Sequence, residues 1–455
     1  MAEKLKKRVI YLYGLPSFGF QIFIYVELMF FSAFLTDAVK MPVALAGSVL
    51  MITSIFDLIW VPVAGIILQK SNLKWGKFRS WLLIGPPIAA MLYILQFLKI
   101  GSPVINAITA CIGFVIGHLV FDVYYSAHIA MNSALTDNVE ERVKMSANRG
   151  VFNALGSLTF AYVGVKAIQA ASIAFNDPAR GYLTVVIMVA LIMVLCYWTF
   201  FFLTREYAFR GTMLKSQKTE GMPIREILKQ LLQNPPLIGL LLIDLGRYVG
   251  KFVVLGLSFY YFKYVLNDLP GMAIFMTGLT VVILISATLA TTVAKKFGPH
   301  KAYVGALCFF IVGLLITWLF PLSPTAFKIV MLVSFIGYGL PDSLVVAMYS
   351  SCVDYGEWRT GKNARGFIMA LLTTPIKVGN FIKSVIITAV LASAGYIADM
   401  TPTPELIQGI KNGFCLFPAI IMIFGMIVFV ILSRKMKDMD NDIAAKKSKV
   451  ELEIL

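Results

Sequence analysis

The chain has 455 residues, of which 59% are hydrophobic and 14% charged, a composition too apolar for a water-soluble protein of this size. Its net charge of +16 would suit a nucleic-acid partner, but 28 of the 40 Lys and Arg residues fall in the two tails and in alternate loops. This positive-inside bias predicts an integral membrane protein with both termini in the cytoplasm and no nucleic-acid partner.

Twelve apolar stretches are long enough to cross a bilayer, which takes about 20 residues of helix. The predicted spans cover approximately residues 10–36, 43–69, 79–99, 103–133, 148–172, 181–204, 235–263, 270–294, 299–320, 324–351, 363–394 and 407–433. The basic stretch 205–234 divides them into two sets of six. We therefore predict an all-α membrane protein with an N-terminal half 1–204, a central cytoplasmic loop 205–234, a C-terminal half 235–433 and a cytoplasmic tail 434–455.

Charged residues inside these spans indicate a polar pathway, because each would cost about 2.5 to 3.5 kcal/mol if it faced lipid. Asp57 in the second span has Trp60 and Val61 one turn further on, rather than more oxygen ligands. A lone carboxylate can carry a proton but makes a poor sodium site. A structural partner for a buried lysine is the alternative role.

The fourth span combines an imidazole, a carboxylate and a phenol. His118 and Asp122 are four residues apart and so share a helix face, and Tyr125 follows them. This mixture suits proton relay or hydrogen bonding to a sugar. A purely structural role for His118 remains open.

The seventh span carries a charged stripe, Asp244, Arg247 and Lys251. A self-neutralising ladder is possible, but it leaves one cation over. Lys377 in the eleventh span and Arg149 near the start of the fifth add further positive charge. An excess of cations favours an anionic substrate group, which a guanidinium can grip through two hydrogen bonds.

The predicted tenth span contains a possible helix break. The segment 337–342 has two glycines and a proline before Asp342, which predicts either a broken helix at a binding site or a simple kink.

Charged residues of opposite sign lie near the cytoplasmic ends of the predicted spans. They predict a gate that closes the cytoplasmic side of the transporter. Its members are Asp354 and Glu357 in one half and Arg142 and Lys144 in the other.

Three segments, 74–83 (KWGKFRSWLL), 134–142 (ALTDNVEER) and 353–362 (VDYGEWRTGK), resemble the glycoside/pentoside/hexuronide:cation symporters of the major facilitator superfamily, relatives of melibiose permease. The resemblance extends over essentially the whole chain. It implies a two-half bundle in a bacterial plasma membrane that moves a sugar with a cation by alternating access.

The resemblance also implies roles for single residues. Asp57 matches a carboxylate of the cation site and Asp122 a carboxylate between cation and sugar. Arg149 matches a sugar-binding arginine, and Lys377 the lysine between the two carboxylates. Sodium-coupled members have polar or acidic ligands where this chain has Val61, Trp60 and Leu119, which favours proton coupling or facilitated diffusion.

Other departures concern the substrate. The Lys-Asp pair that grips galactosides is replaced by Phe20 and Gln21, and a tryptophan near the sugar is replaced by Asp342. Arg247 and Lys251 are additional cations. Together these departures favour a hexuronide or a sulfonated sugar over a galactoside.

We therefore expect a proton-coupled transporter of an anionic glycoside, with lipid and sugar as its only partners and a monomeric state. The residues predicted to couple transport to protons are Asp57, Asp122, Lys377 and His118. The residues predicted to bind the substrate are Gln21, Asp122, Tyr125, Arg149, Arg247, Lys251, Asp342 and Lys377. A sodium-coupled or uncoupled sugar carrier and a lysolipid or other amphiphile carrier remain alternatives. No catalytic triad or metal-ligand cluster is apparent, so neither an enzyme nor a metal or organic cofactor is predicted.

Overall fold

The computed structural model describes residues 5–136, 138–207, 232–360, 368 and 371–436, and the regular structure within these ranges is helical throughout, without a β-strand. The helices are α1 Lys7–Leu12, α2 Leu15–Ala33, α3 Val43–Lys70, α4 Arg79–Gln96, α5 Pro103–Leu135, α6 Val139–Thr159, α7 Val165–Phe175, α8 Pro178–Leu203, α9 Pro235–Tyr260, α10 Gly271–Phe297, α11 Pro299–Leu319, α12 Pro324–Ser334, α13 Ile336–Thr360, α14 Thr374–Ser393, α15 Pro404–Lys411 and α16 Phe417–Ser433. Short 3-10 turns cover Arg205–Tyr207 and Leu371–Thr373.

Several helix starts follow directly from the sequence. A capping side chain precedes a proline at the beginning of α5, α8 and α12, where the caps are Ser102, Asp177 and Ser323. Asp177 accepts a hydrogen bond from the backbone N–H of Ala179 at 2.9 Å. The side chain satisfies a donor that the helix leaves unpaired, and proline lacks the N–H that would be unsatisfied at the first position.

Four π-helical turns extend or join these helices, at Phe34–Ala38, Phe160–Gly164, Tyr261–Val265 and Asn412–Leu416. The first continues α2 and the third continues α9. Single π turns inside longer helices often mark functional positions, because they rotate side chains away from the regular helix face.

Within the described ranges, ten helical stretches are long and apolar enough to cross a membrane, judged by length and composition alone. The predicted third and seventh spans are present as α4 and α9, but they are more polar. The helix α4 begins with Arg79, and α9 carries Asp244, Arg247 and Lys251. The all-helical, multi-span prediction is confirmed, while the count of twelve stays a prediction.

The interruption of the predicted tenth span lies slightly before the predicted glycine–proline segment. It falls at Phe335, between α12 and α13, and Pro341 lies inside α13. A Cβ on Gly337 would come 2.2 Å from the carbonyl oxygen of Ala306, and one on Gly339 would come 1.9 Å from Ser286 Oγ. These glycines therefore permit close helix packing, while the break itself occurs two residues before the first of them.

The chain forms two compact units, each with its own core. The first comprises the described residues of Met1–Gln217, Leu255–Val281 and Ser384–Ile410, and the second those of Lys218–Val254, Val282–Lys383 and Lys411–Leu455. The predicted boundaries at the central loop and the tail stay predictions, because residues 208–231 and 437–455 lie outside the described residues.

The segment 74–83 has a structural explanation inside the first unit. Arg79 is buried, and its Nε and Nη2 donate to the carbonyl oxygen of Phe201 at 3.0 and 2.7 Å. Its guanidinium also lies 3.7 Å from the centroid of the Phe201 ring. The arginine thus pairs a carbonyl near the end of α8 that the helix would leave unsatisfied, and fixes the α3–α4 connection against that end.

Candidate functional site

Three titratable side chains from three helices meet in the interior of the first unit. His118 on α5 lies between Glu27 on α2 and Asp57 on α3. Its Nε2 is 2.8 Å from Glu27 Oε2, and its Nδ1 is 3.0 Å from Asp57 Oδ1. All three residues are about 95% buried. We call this group the carboxylate–histidine cluster.

The geometry fixes a minimum number of protons in this cluster. A neutral imidazole has one N–H and one bare nitrogen, yet both ring nitrogens of His118 lie at hydrogen-bonding distance from a carboxyl oxygen. Two hydrogens must therefore occupy the two contacts. Either the imidazole is protonated or one carboxyl group is, and the cluster carries one net negative charge in both cases.

Aromatic and backbone contacts hold His118 in place. Its ring stacks on Phe114 with centroids 3.8 Å apart and planes 8° apart. Trp60, one turn from Asp57, donates from Nε1 to the carbonyl oxygen of Val115 at 2.6 Å. The tryptophan that stands where sodium-coupled symporters have a polar ligand thus joins α3 to α5 beside the cluster.

Another predicted residue of the first unit, Tyr125, belongs to a stack of aromatic rings. Tyr125 stacks on Phe20 with centroids 4.1 Å apart, and Phe20 stacks in turn on Phe121 at 4.4 Å. Asp122 is buried, and Gln21 is half-buried beside Phe20. Arg149 on α6 is also half-buried.

In the second unit, the charged stripe on α9 is engaged with carboxylates. Arg247 is fully buried; its Nε donates to Asp244 Oδ1 at 2.8 Å and its Nη1 to Asp342 Oδ1 at 2.7 Å. Tyr303 also donates to Asp244 Oδ1, at 2.9 Å. The guanidinium lies 4.3 Å from the ring centroid of Tyr248. The self-neutralising arrangement of charges, which was the alternative interpretation of this stripe, is therefore present for Arg247.

The two carboxylates that bind Arg247 differ in exposure. The Asp244 side chain is 1% exposed, whereas that of Asp342 is 48% exposed. Lys251, half-buried one turn beyond Arg247, has its Nζ 5.2 Å from the ring centroid of Tyr338. Asp244 is thus a fixed partner of Arg247, and Asp342 is the partner that water and solutes can reach.

Lys377 lies half-buried on α14. The predicted triad of Asp57, Asp122 and Lys377 stays a prediction. The structure brings Asp57 to His118 and Glu27, and Glu27 was not among the predicted site residues. The signal for it in the sequence was a lone acidic residue in the first span, without a partner at helical spacing.

The predicted cytoplasmic gate likewise stays a prediction. Lys144 pairs with Glu140 within α6 at 2.6 Å, and Arg142 Nε donates to the carbonyl oxygen of Thr136 at 2.7 Å. Asp354 and Glu357 are exposed near the end of α13.

A further polar network was not predicted and lies in the first unit, at the end of α2 remote from the N-terminus. Asp37 accepts hydrogen bonds from Lys263 Nζ at 2.6 Å and from the Tyr396 hydroxyl at 2.8 Å. Lys263 Nζ also donates to Asp399 at 2.9 Å. Both Asp37 and Lys263 lie in π-helical turns. Charges at span ends look like ordinary loop residues in the sequence, so nothing distinguished them.

Across the described ranges, no group of three or more His, Cys, Asp or Glu residues is arranged to hold a metal ion. The site chemistry accessible to these residues is proton exchange, charge pairing and hydrogen bonding.

Comparison with known proteins agrees with this architecture. The family described as MFS/sugar transport protein matches residues 12–433. The isoprimeverose transporter of Lactiplantibacillus pentosus is 26% identical over 95% of this chain and 89% of its own length. The glucuronide carrier protein homolog of Escherichia coli is 26% identical over 100% of this chain and 99% of its own length.

Among solved structures, a bacterial homolog of the human lysosomal transporter Spinster, in an inward-facing and unoccupied conformation, aligns with a TM-score of 0.68. The alignment covers 94% of this chain and 96% of that chain at 13% identity. This likeness concerns the fold alone, and it confirms the predicted major facilitator architecture.

Proposed function

The chain belongs to the MFS/sugar transport protein family, and from that premise we propose that it carries an anionic sugar derivative, a hexuronide or a sulfonated sugar, together with protons. The family and its relatives are transporters of sugars and sugar derivatives, so the chain is a multi-pass membrane transporter and not an enzyme. The proposed location is a bacterial plasma membrane, with both termini in the cytoplasm and a monomeric protein.

The observation that supports an anionic substrate is that the two carboxylates bound to Arg247 differ in solvent exposure. Its guanidinium is fixed on one side by fully buried Asp244 and on the other meets Asp342, whose side chain is 48% exposed. A substrate carboxylate or sulfonate can replace Asp342 on the same donor, because each offers anionic oxygens that accept hydrogen bonds from a guanidinium. Lys251 lies one turn away and supplies a second positive charge to the incoming anion.

Charge balance links this substrate to proton coupling. The charges of Asp244, Arg247, Lys251 and Asp342 sum to zero, so a monoanionic substrate adds one net negative charge to this group. Transport of one proton with each anion is electroneutral overall, and the carboxylate–histidine cluster of the first unit has a place for one more proton.

The test is counterflow in proteoliposomes with radiolabelled methyl β-D-glucuronide and its neutral analogue methyl β-D-glucoside. The wild-type protein is expected to exchange the glucuronide in preference to the glucoside. Lys251→Gln should lower the affinity for the glucuronide about 10-fold to 150-fold, the equivalent of a charge-assisted hydrogen bond, and leave exchange of the glucoside nearly unchanged.

One specific observation favours a second candidate, a neutral glycoside. Arg247 is already fully buried and paired, as expected for a helix-packing device. Preferential exchange of the glucoside, or an equal effect of Lys251→Gln on both ligands, would favour that candidate and reject the anionic one.

A further inference from the structure

The carboxylate–histidine cluster differs from the coupling group that the sequence predicted. The sequence selected Asp57, Asp122, Lys377 and His118, whereas the structure connects Asp57 through the imidazole of His118 to a second carboxylate on another helix, Glu27. The three members come from α2, α3 and α5, so the cluster links three helices whose relative positions depend on its contacts.

We propose that the carboxylate–histidine cluster is a single proton-binding unit that alternates between two and three protons. Coupling then requires the carboxyl group of Glu27 as much as that of Asp57. This inference rests on the proposed proton-coupled function. In the two-proton form both contacts of His118 are satisfied and the net charge is −1. In the three-proton form the cluster is neutral.

The proton step is a transfer from a hydronium ion. One O–H bond of the hydronium ion breaks, an O–H bond forms on a carboxylate oxygen, and a water molecule is left. His118 can accept a proton at one ring nitrogen while it donates one from the other, which moves a proton between Asp57 and Glu27 without a change in the position of the ring. Release returns the proton to water.

Burial supplies the driving force for the change. A net negative charge removed from water costs several kcal/mol in effect. Addition of the third proton makes the cluster neutral and lowers this cost. A sodium ion is a weaker candidate for the same role, because both imidazole nitrogens face the carboxylates that the ion would need.

Among the described residues of the first unit, the other titratable groups near the cluster include a phenol and a carboxylate. Tyr93 on α4 donates its hydroxyl to the carbonyl oxygen of Phe23, one turn before Glu27. Asp122 lies one turn beyond His118 on α5. Lys377 stays the predicted basic partner. Because Asp122 is so close in the helix, a change in the number of protons on the cluster alters the electrostatic potential at this predicted substrate residue.

The first experiment measures accumulation and exchange of methyl β-D-glucuronide in proteoliposomes for the wild-type protein, Glu27→Gln and Asp57→Asn. Each variant removes one titratable carboxyl but keeps hydrogen-bonding capacity. Both are expected to lose accumulation under a pH gradient and to keep exchange at equal concentrations on the two sides. Exchange by both variants should also lose its pH dependence.

A matched control is Glu141→Gln, a buried carboxylate at the end of the bundle that binds Thr136 and the backbone N–H of Leu5. It should accumulate the glucuronide as the wild type does. Accumulation by Glu27→Gln equal to that of the control would overturn the inference. If Glu27→Gln does not exchange, Glu27→Asp is measured instead, and it should accumulate with a shifted pH profile.

A second measurement does not depend on the substrate. The chain has three histidines, so nitrogen-15 histidine NMR of the purified protein can follow His118, with the signal assigned by its loss in His118→Gln. Glu27→Gln should move the pH at which the His118 signals change, because it removes one of the two facing carboxylates.

If the wild type does not transport the glucuronide, the proposed function fails. The proton unit is then judged by this titration alone, and an unaltered titration in Glu27→Gln rejects it.

Discussion

Arg247 is among the largest side chains with no solvent exposure in the described ranges, and its environment explains why it can be buried. Asp244 pairs with its charge, Tyr303 supports Asp244, and the ring of Tyr248 covers the guanidinium. Removal of one partner of a buried ion pair leaves an isolated charge in the interior.

Arg247→Gln is therefore expected to destabilise the protein by about 3 to 5 kcal/mol, because Asp244 is left unpaired in a buried site. Asp244→Asn combined with Arg247→Gln should recover much of this loss, since the double variant buries two neutral amides. The measurement is the free energy of unfolding in mild detergent, with Lys251→Gln as the control. A double variant no more stable than Arg247→Gln would show that the pair does not account for the loss.

At the scale of elements, two π-helical turns determine which side chains meet at the end of α2. Phe34–Ala38 carries Asp37, and Tyr261–Val265 carries Lys263. With Tyr396 they join three separate parts of the chain within the first unit. We call these three residues the end latch; the distribution of Lys and Arg predicts that it lies on the outer side of the membrane.

The contact between Lys263 and Asp399, next to the end latch, should keep its charge at ordinary pH. The hydrogen bond from Lys263 lowers the pKa of Asp399, the second carboxylate that Lys263 contacts. A lowered pKa in the folded state stabilises the pair at pH values above the unfolded pKa of about 4, and this contribution is lost as pH falls through the lower folded value. Asp399 is therefore unsuited to sense protons near neutral pH.

Asp37→Asn is expected to loosen the end latch, because it removes the charge that Lys263 and Tyr396 share. A cysteine introduced at fully buried Leu35, in a variant without the native cysteines, should then react faster with a membrane-impermeant maleimide added to cells. Asp177→Asn alters a helix cap without a contact to Lys263 among the described hydrogen bonds, and is the control. Equal labelling rates for both variants would mean that Asp37 does not close this end.

At the scale of the whole molecule, coupling depends on which ion can neutralise the polar interior. Sodium requires several oxygen ligands at once. Trp60 instead binds a backbone carbonyl, and the nitrogens of His118 occupy the space between the carboxylates.

A sodium gradient alone is thus expected not to drive accumulation of methyl β-D-glucuronide in proteoliposomes, whereas an inward proton gradient should. Potassium in place of sodium, at equal ionic strength, is the control for salt effects. Accumulation that appears with the sodium gradient and disappears when the gradient is removed would contradict proton coupling.

The sequence alone determined the class of this protein, the family to which it belongs and nearly all of its helices. These properties depend on hydropathy, caps and short motifs, which are local in the chain and need no knowledge of neighbouring helices. The buried charges could be found in the same way, since a charge in an apolar span is evident from the residues around it. Asp57, His118 and Arg247 were all selected on that basis.

Only the tertiary structure decided the partners of these charges. Glu27 and His118 are 91 residues apart, and Asp37 and Tyr396 are 359 apart. Such pairs depend on how each helix is rotated and shifted against its neighbours, and a π turn or a break at Phe335 changes that rotation for every residue after it. Hydropathy does not encode this rotation for helices buried among others, because most of their faces are apolar. The sequence therefore showed which charged groups were available, and packing determined which of them pair with one another.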